Sequence, residues 1–372
     1  MKRLGAIALL VACQPSLGCF VGVDESVLDR PDGHPDSPTT TEGGEGGRGD
    51  ADAPRELGDD VVSPDILAHG EAGPTVCSGH KWKSSPSGVT VSLFDVWGSS
   101  ASDIWAVGTA GVIVHFDGGK WSKVTPAPTI KTLYGVMGRS PDDVWAVGSE
   151  VILHFDGAKW SASGVAVDET LYGVWVDQSG EAWAVGQEGA AYHHDGSSWK
   201  PRKPSTTDNL KAVWGSGPQA VWAGGEDGVL LRHNGTLWSS VSSSFSEEVA
   251  DIRGLAQNAV WGIEGCDDKP RKCDGEVLRY NGSSWNQLYQ TPGGERLRAV
   301  WPFDKSHLVI AGDACCDMSS CSCGRVRRYL MGKWTTETLP ALTSQPLRAL
   351  WASSPCDIWA VGDKGAIFHY GP

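Results

Sequence analysis

The tryptophans of this 372-residue chain recur in a fixed register, which restricts the fold more than any other sequence feature. They fall into three classes. One ends a short apolar segment (Val96-Trp97), one opens a Trp-Ala-Val-Gly motif (Trp105 to Gly108), and one ends a turn motif (Asp117 to Trp121). The classes contain five, six and seven members, which account for all 18 tryptophans. They are Trp97, Trp175, Trp214, Trp301 and Trp351; Trp105, Trp145, Trp183, Trp222, Trp261 and Trp359; and Trp82, Trp121, Trp160, Trp199, Trp238, Trp285 and Trp334.

The spacing of the second class predicts a β-propeller. From Trp105 to Trp261 its members are 40, 38, 39 and 39 residues apart. Each repeat has the pattern of four short strands, which in the first repeat are Leu93–Trp97, Ile104–Val107, Val112–Phe116 and Lys120–Val124. Four strands in about 40 residues is typical of one propeller blade, and stacking blades around an axis buries both faces of each.

Three positions depart from the register. Met137 and Leu255 replace the first-class tryptophan in their repeats, and Val309 replaces the second-class one. All three replacements are apolar, so the pattern of strands continues through them.

The two ends of the repeat region complete each other. The last repeat stops at Gly371-Pro372 before its final strand, whereas Gly79 to Trp82 supplies such a strand with no others before it. The sequence therefore predicts an all-β, seven-bladed propeller over residues 75–372, closed by an N-terminal strand that completes the last blade. An open solenoid is the alternative, and it would leave both partial repeats unpaired.

The N-terminus has the pattern of an export signal. Met1-Lys2-Arg3 precedes an apolar run of nine residues, too short to span a bilayer of about 30 Å. Leu10-Val11-Ala12-Cys13 resembles a lipoprotein lipobox, and the segment ending at Cys19 is the alternative. We therefore expect a signal peptide over 1–18, or over 1–12 if Cys13 carries the lipid. A soluble secreted protein without lipid is the other interpretation.

Residues 19–74 read as a disordered acidic tether rich in glycine and proline. Residues 24–74 contain 14 Asp and Glu, 3 Arg, 6 Pro, 9 Gly and no aromatic residue. Such a segment cannot bury enough apolar area to offset its ordering entropy. It holds most of the formal net charge of -14, which argues against binding nucleic acid.

The positions of the remaining cysteines agree with disulfides in the predicted propeller. Cys77 precedes the closing strand and Cys356 lies in the first hairpin loop of the last blade, so we predict a disulfide between them. We also predict a Cys266–Cys273 disulfide, and two more among Cys315, Cys316, Cys321 and Cys323. A metal held by this last cluster with Asp313 and Asp317 is the alternative, although exported chains favour disulfides.

A cation recurs two residues before each third-class turn. The positions are His115, His154, His193, Arg232, Arg279, Arg328 and His369. One interpretation is a ring of ligand-binding cations. Regular recurrence favours the other, a structural hydrogen bond to a hairpin carboxylate such as Asp103, Asp143 or Asp357. The Asp/Asn-Gly pairs that follow are predicted turn residues, because they tolerate positive φ.

Two adjacent blades carry long loops at matching positions, Glu264–Glu276 and Asp313–Arg325. Oversized loops on one rim favour a partner surface, and tolerated insertions are the alternative. The candidate binding residues are Asp267, Asp268, Lys269, Arg271, Lys272, Asp313, Asp317 and Arg325.

The repeat resembles the tectonin-type propeller repeat. Trp105-Ala106-Val107-Gly108 through Trp121 follows its pattern, as do residues 145–160 and 183–199, and Trp-rich repeats of bacterial surface lipoproteins are similar. The resemblance covers about 80% of the chain. It implies a propeller fold and, since tectonin-type proteins often bind bacterial surface glycans, a carbohydrate-binding role. None of that family's sugar sites carries over to these residues.

No catalytic motif, metal site or cofactor site stands out, so we expect a non-catalytic binding protein of the cell envelope. The partner would be a glycan or an envelope protein, and the only membrane contact would be the lipid anchor. We expect a monomer at the outer membrane or cell surface, with a secreted or periplasmic protein as the alternative. A carbohydrate-active hydrolase or lyase, and a purely structural surface component, are the competing functions.

Overall fold

The computed structural model describes residues 77–265, 275–292, 295–317, 320–340 and 345–372, and their side chains except those of 315–322. The predicted signal peptide, the tether, Cys13 and Cys19 lie outside this part. The described chain is almost wholly β, as predicted, and its only helical elements are four 3-10 turns. None of its helices is long and apolar enough to cross a membrane.

The strands form seven four-stranded antiparallel sheets, which we number as blades 1 to 7. Blades 1 and 2 contain β2 (Leu93–Ser100), β3 (Asp103–Gly108), β4 (Ile113–Phe116) and β5 (Trp121–Lys123), then β6 (Leu133–Ser140), β7 (Asp143–Gly148), β8 (Val151–Phe155) and β9 (Trp160–Ala162). Blades 3 and 4 contain β10 (Leu171–Val176), β11 (Glu181–Gly186), β12 (Ala191–Asp195) and β13 (Trp199–Pro201), then β14 (Leu210–Gly215), β15 (Val221–Gly225), β16 (Leu230–His233) and β17 (Trp238–Ser240). Blades 5 and 6 contain β18 (Val249–Ala256), β19 (Ala259–Glu264), β20 (Glu276–Tyr280) and β21 (Trp285–Gln290), then β22 (Glu295–Asp304), β23 (His307–Asp317), β24 (Ser320–Leu330) and β25 (Lys333–Thr336). Blade 7 contains β26 (Leu347–Ser354), β27 (Asp357–Gly362), β28 (Ile367–Gly371) and β1 (Lys81–Ser84).

The blades close into a ring. The first strand of each blade packs against the first strand of the next, and β26 packs against β2. Within blade 7, β1 pairs with β28, with Trp82 opposite Tyr370. The seven-bladed propeller and the strand that completes its last blade are therefore as the sequence predicts.

Tryptophan pairs join the outer parts of neighbouring blades. A second-class tryptophan meets the third-class tryptophan of the next blade edge to face, as Trp105 meets Trp160 with ring centroids 5.4 Å apart. Four further interfaces have the same pair, with interplanar angles of 76–87°. Edge-to-face aromatic pairs contribute about 0.5–1.5 kcal/mol beyond the area that they bury. The tryptophan register is thus the set of contacts that holds blade to blade.

Four of the five first-class tryptophans pack against a glycine of the next blade. A Cβ added at Gly98, Gly138, Gly215 or Gly254 would lie 2.4–2.8 Å from a ring carbon of Trp351, Trp97, Trp175 or Trp214, respectively. Where the register has Met137 instead, the equivalent position of the next blade is Val176. Ring and glycine therefore form one packing unit across each of these interfaces.

One replacement predicted from the sequence is wrong. Arg253, not Leu255, occupies the first-class position of blade 5, because Arg253 is the residue opposite Trp261 in the strand pairing. The guanidinium lies 5.4 Å from the ring centroid of Trp301 in blade 6. Leu255 was chosen because it is apolar, whereas the position is filled by an arginine that stacks on a tryptophan ring.

The repeated histidines make the predicted hydrogen bond to a hairpin carboxylate. The Nε2 atoms of His115, His154 and His369 lie 2.6, 2.8 and 2.6 Å from Asp103, Asp143 and Asp357. Each imidazole also stacks on the second-class tryptophan of its own blade, at centroid distances of 4.0–4.2 Å. Arginine takes the same place over tryptophan in blades 4 and 5.

The closing strand is fixed by a disulfide. Cys77 bonds to Cys356, with the Cα atoms 5.4 Å apart and a sequence separation of 279. This pairing is the one that the sequence predicts. It ties the start of the propeller to the turn between the first two strands of blade 7.

Candidate functional site

The propeller has two different faces. The upper face carries the turns between the second and third strands of each blade, and the starts of the innermost strands. The lower face carries the turns between the first and second strands, and with them the Cys77–Cys356 disulfide. In blade 5, β19 ends at Glu264 and β20 begins at Glu276 on the upper face, and in blade 6, β23 and β24 extend past the Gly312–Arg325 pair on the same side. Both inserted segments therefore start from the face that surrounds one mouth of the central channel.

A β-bulge aims one residue of every blade into this upper mouth. In each innermost strand the pairing shifts just after the first buried residue, as between Leu93 and Asp95. The same shift recurs in the other six blades. Bulges re-aim side chains and are common beside functional sites. The residues at the seven bulges, here called the ring residues, are Phe94, Tyr134, Tyr172, Lys211, Ala250, Arg298 and Arg348.

The ring residues are not equivalent in chemistry. Blades 1 to 3 contribute three aromatic rings, with centroids 5.1 Å apart for Phe94 and Tyr134 and 5.5 Å apart for Tyr134 and Tyr172. Cations lie over both ends of this row. The Arg348 guanidinium is 5.1 Å from the Phe94 centroid, and the Lys211 ammonium is 4.4 Å from the Tyr172 centroid. An unbroken arc of cation, three aromatic rings and cation therefore borders the mouth over blades 7, 1, 2, 3 and 4.

Each cationic ring residue has a carboxylate partner in its own blade, either on the second strand or in the turn that follows it. Arg348 donates Nε and Nη2 to Asp363 at 2.6 and 3.0 Å, and Lys211 pairs with Glu226 at 2.9 Å. In blade 6, Arg298 donates to Asp313 at 2.6 Å. These pairs fix the direction of the cations, and the Lys211 ammonium also lies 3.7 Å from a carboxylate oxygen of Glu248.

Three charged groups line the channel below the arc. Asp95 and Asp251 each accept a hydrogen bond from a backbone N–H of the next blade, at Val136 and Val300. Arg253 lies beside them, with its Nε 3.7 Å from Asp251. Burial raises the pKa of Asp95 to about 7, and the opposing effects of Arg253 and of the backbone donors are smaller.

This raised pKa makes stability depend on pH. Neutral Asp95 contributes stability that is fully present below about pH 4 and is lost as pH rises through about 7. We expect Asp95→Asn to lack that loss, because the amide does not titrate. Urea midpoints at about pH 5 and about pH 8 should therefore fall more for the native chain than for the variant. Equal falls in the two proteins would contradict the assignment.

The predicted loop residues differ in their burial and contacts, and many of them lie outside the described side chains. Asp313 is buried and paired with Arg298, so it supports the ring. Arg325 is partly exposed, with Nε 3.7 Å from Glu295. Cys323 is disulfide-bonded, and since Cys77 and Cys356 bond to each other, its partner lies outside the described side chains. The remaining candidates also lie outside them: Cys266, Asp267, Asp268, Lys269, Arg271, Lys272, Cys273, Cys315, Cys316, Asp317 and Cys321.

Reading the sequence blade by blade missed the ring residues. Phe94, Tyr134 and Tyr172 are about 40 residues apart, and each looks like an ordinary strand residue. The available signal was the residue after the leading Leu or Val of each first strand, which is aromatic in blades 1 to 3 and cationic in blades 4, 6 and 7.

Comparison with known proteins supports the propeller fold and nothing more specific. No protein-family model matches the sequence, and no curated protein is significantly similar to it. The solved structure of YCF48 bound to D1 peptide is similar, with a TM-score of 0.62 and 15% identity over 82% of this chain and all of that one. The WD40 propeller domain of Doa1 has a TM-score of 0.61 and 12% identity over 79% and 97% of the two chains. Streptogramin B lyase has a TM-score of 0.61 and 13% identity over 79% and 99%. The chain shares with these proteins a propeller scaffold that serves both binding and enzymatic roles.

Proposed function

We propose that this protein is a non-catalytic binding protein that holds a peptide segment of a partner at the upper channel mouth. The observation that carries this proposal is the arc from Arg348 through three aromatic rings to Lys211. Bulges in five blades point these five residues into one opening on the upper face.

The chemistry of the arc suits a polypeptide. Aromatic and arginine side chains dominate the binding energy of protein interfaces, especially where they are partly desolvated. Asp363 takes two of the five N–H donors of Arg348, and the guanidinium has further donors for a carbonyl or carboxylate of a ligand. An extended segment with an apolar or aromatic side chain and a nearby carboxylate would satisfy both parts of the arc. YCF48, described as bound to a D1 peptide, is a precedent for a peptide on this scaffold.

We further propose that the protein acts at the cell envelope, as an exported monomer attached through a lipid on Cys13 or Cys19. The support is the apolar N-terminal run, the cysteines that follow it and the acidic segment before Cys77. The disulfide-bonded cysteines agree with an oxidising compartment.

An enzyme is the second candidate, because two carboxylates line the channel and the pKa of Asp95 lies near 7. A carboxyl group with such a pKa suits a general acid. Both carboxylates, however, already accept backbone N–H donors of a neighbouring blade. We therefore favour a role for them in joining blades.

Binding is tested by selecting peptides on the full chain from a random phage-displayed library and measuring their affinity in solution. We expect Tyr134→Ala and Arg348→Ala each to weaken a selected peptide about tenfold or more, as loss of an interface hot spot does. The matched control is Arg139→Ala, which breaks an ion pair of similar length with Asp143 on the lower face. A library that yields no specific peptide, or equal losses in all three variants, would contradict the proposal.

A further inference from the structure

One position of the ring at the channel mouth has no large side chain. Six of the seven ring residues are aromatic or cationic, whereas blade 5 contributes Ala250. The pairing shift between Val249 and Asp251 places Ala250 at a bulge like the others. Its methyl group leaves a gap in the ring between Lys211 of blade 4 and Arg298 of blade 6. We call the space over Ala250 the blade 5 gap.

The blade 5 gap is part of a cavity of about 180 Å³ at the upper end of the channel. Sites that enclose a whole small molecule usually measure roughly 300–1,000 Å³. The cavity is therefore of a size for one side chain or one chain end of a longer ligand. Phe94, Tyr134 and Tyr172 belong to the same lining, so a ligand group in the gap is continuous with a ligand on the arc.

Hydrogen-bond donors dominate the lining of this cavity. Its charged residues are four cations and one carboxylate, namely Lys211, Arg296, Arg298, Arg348 and Glu248. The carboxylates that pair with the cationic ring residues in their own blades are not among the lining residues that the structure describes. A ligand group with several acceptor positions and no donor therefore suits the cavity best, and a carboxylate is such a group.

Arg298 has the largest number of donors left for a ligand. Within the described part of the chain its one hydrogen bond runs from Nε to Asp313, at 2.6 Å. The Asp313 side chain is only 2% exposed, so this pair fixes the guanidinium from the buried side. The other four of the five N–H donors of the guanidinium lie on its two terminal nitrogens, and neither nitrogen is buried without a partner. Together they form a planar fork, which matches the two oxygens of a carboxylate.

Cations of two blades converge on one point beside the gap. Glu248 lies two residues before Ala250, and one of its carboxylate oxygens is 3.7 Å from the Lys211 ammonium. Burial raises the pKa of Glu248, and Lys211, Arg298 and Arg296 all oppose this rise. The positive charges of blades 4 and 6 therefore act together at this place.

We propose, on the basis of the peptide-binding function above, that the blade 5 gap binds a carboxylate of the peptide through the terminal nitrogens of Arg298. Ala250 is then the specificity-determining residue, because a larger side chain at this position would fill the gap. Asp313 is a positioning residue, since it holds Arg298 and does not reach the ligand. The carboxylate belongs to an Asp or Glu side chain or to the C-terminus of the peptide, which present the same chemistry to the fork.

The first test changes the peptide. Peptides are selected on the full chain from random phage-displayed libraries with either end free, and each is synthesised in three forms. One form is unchanged, one has every Asp and Glu replaced by Asn and Gln, and one has an amidated C-terminus. We expect one of the two changes to weaken binding about tenfold or more, as loss of an interface hot spot does. Loss with Asn and Gln identifies a side-chain carboxylate, and loss on amidation identifies the C-terminus.

The outcomes separate this proposal from the peptide-binding function. A selected peptide that binds equally well in all three forms would overturn the carboxylate at the gap and leave peptide binding intact. Libraries that yield no specific peptide would overturn peptide binding and the carboxylate together.

The second test changes the protein and measures melting temperatures to show that each variant is folded. Ala250→Tyr gives blade 5 the residue that blades 2 and 3 have, and it should weaken the unchanged peptide about tenfold or more. Arg298→Lys keeps a cation for the buried Asp313 but loses the fork. We expect it to weaken the unchanged peptide by a similar factor and to have little effect on the form that lacks the carboxylate.

The matched control is Arg139→Lys, which alters a pair of similar length between an arginine Nε and a carboxylate on the lower face. It should leave the affinities of all three peptide forms unchanged. An Arg298→Lys variant that weakens the charged and the neutral peptide equally would contradict the assignment of the carboxylate to Arg298. Because this variant leaves Ala250 in place, the result does not depend on whether Ala250→Tyr folds.

Discussion

Replacing both Cys77 and Cys356 with serine should lower the free energy of unfolding by about 2–5 kcal/mol, which is typical for loss of a native disulfide. The bond spans 279 residues, so it restricts nearly the whole propeller in the unfolded state. It also holds the strand that closes the ring. Urea unfolding of the native chain and of the double variant measures the difference.

Reduction with a thiol is a poorer form of this experiment, because Cys323 is disulfide-bonded as well. The double variant isolates the closing bond and leaves no stray thiol. A midpoint unchanged within error would show that the pairing of β1 with β28 closes the ring unaided.

Gly215→Val should lower the free energy of unfolding by about 1–3 kcal/mol, the usual cost of overpacking a filled core. A Cβ at this position would lie 2.8 Å from two ring carbons of Trp175, which is completely buried. The backbone itself tolerates the change, because strand conformation suits valine.

Trp175→Met is the matched partner of this change. Alone it should destabilise by about 2–5 kcal/mol, as large-to-small core changes do. Combined with Gly215→Val it recreates the Met137 and Val176 combination that blades 2 and 3 already have. The double variant should therefore be more stable than the sum of the two changes predicts, by about 0.5–3 kcal/mol of coupling. Additive losses would show that ring and glycine are not one packing unit.

The blades could be predicted from the sequence because their packing repeats. The same pair of tryptophans recurs at five of the seven blade interfaces, so the sequence repeats one kind of contact many times. The strands predicted for blade 1 agree with β2 to β5 to within three residues at each end. The Cys77–Cys356 pair followed in the same way, since closure brings the two ends of the repeat together.

Positions that break the repeat could not be predicted in this way. Arg253 was missed because a cation stacked on Trp301 leaves no apolar signature. The arc at the channel mouth joins side chains of five blades, and their proximity depends on ring closure rather than on any local motif.

The disulfide that closes the ring also decides how the domain would respond to a mechanical load. A pull on the chain from its N-terminal side reaches Cys77 before it reaches β1, and Cys77 is covalently joined to the lower turn of blade 7. Tension therefore passes into blade 7 through a covalent bond. The hydrogen bonds between β1 and β28 then do not carry the load and do not break one after another. A protein held by its N-terminal segment could sustain a drag on its upper face without its ring opening at the seam.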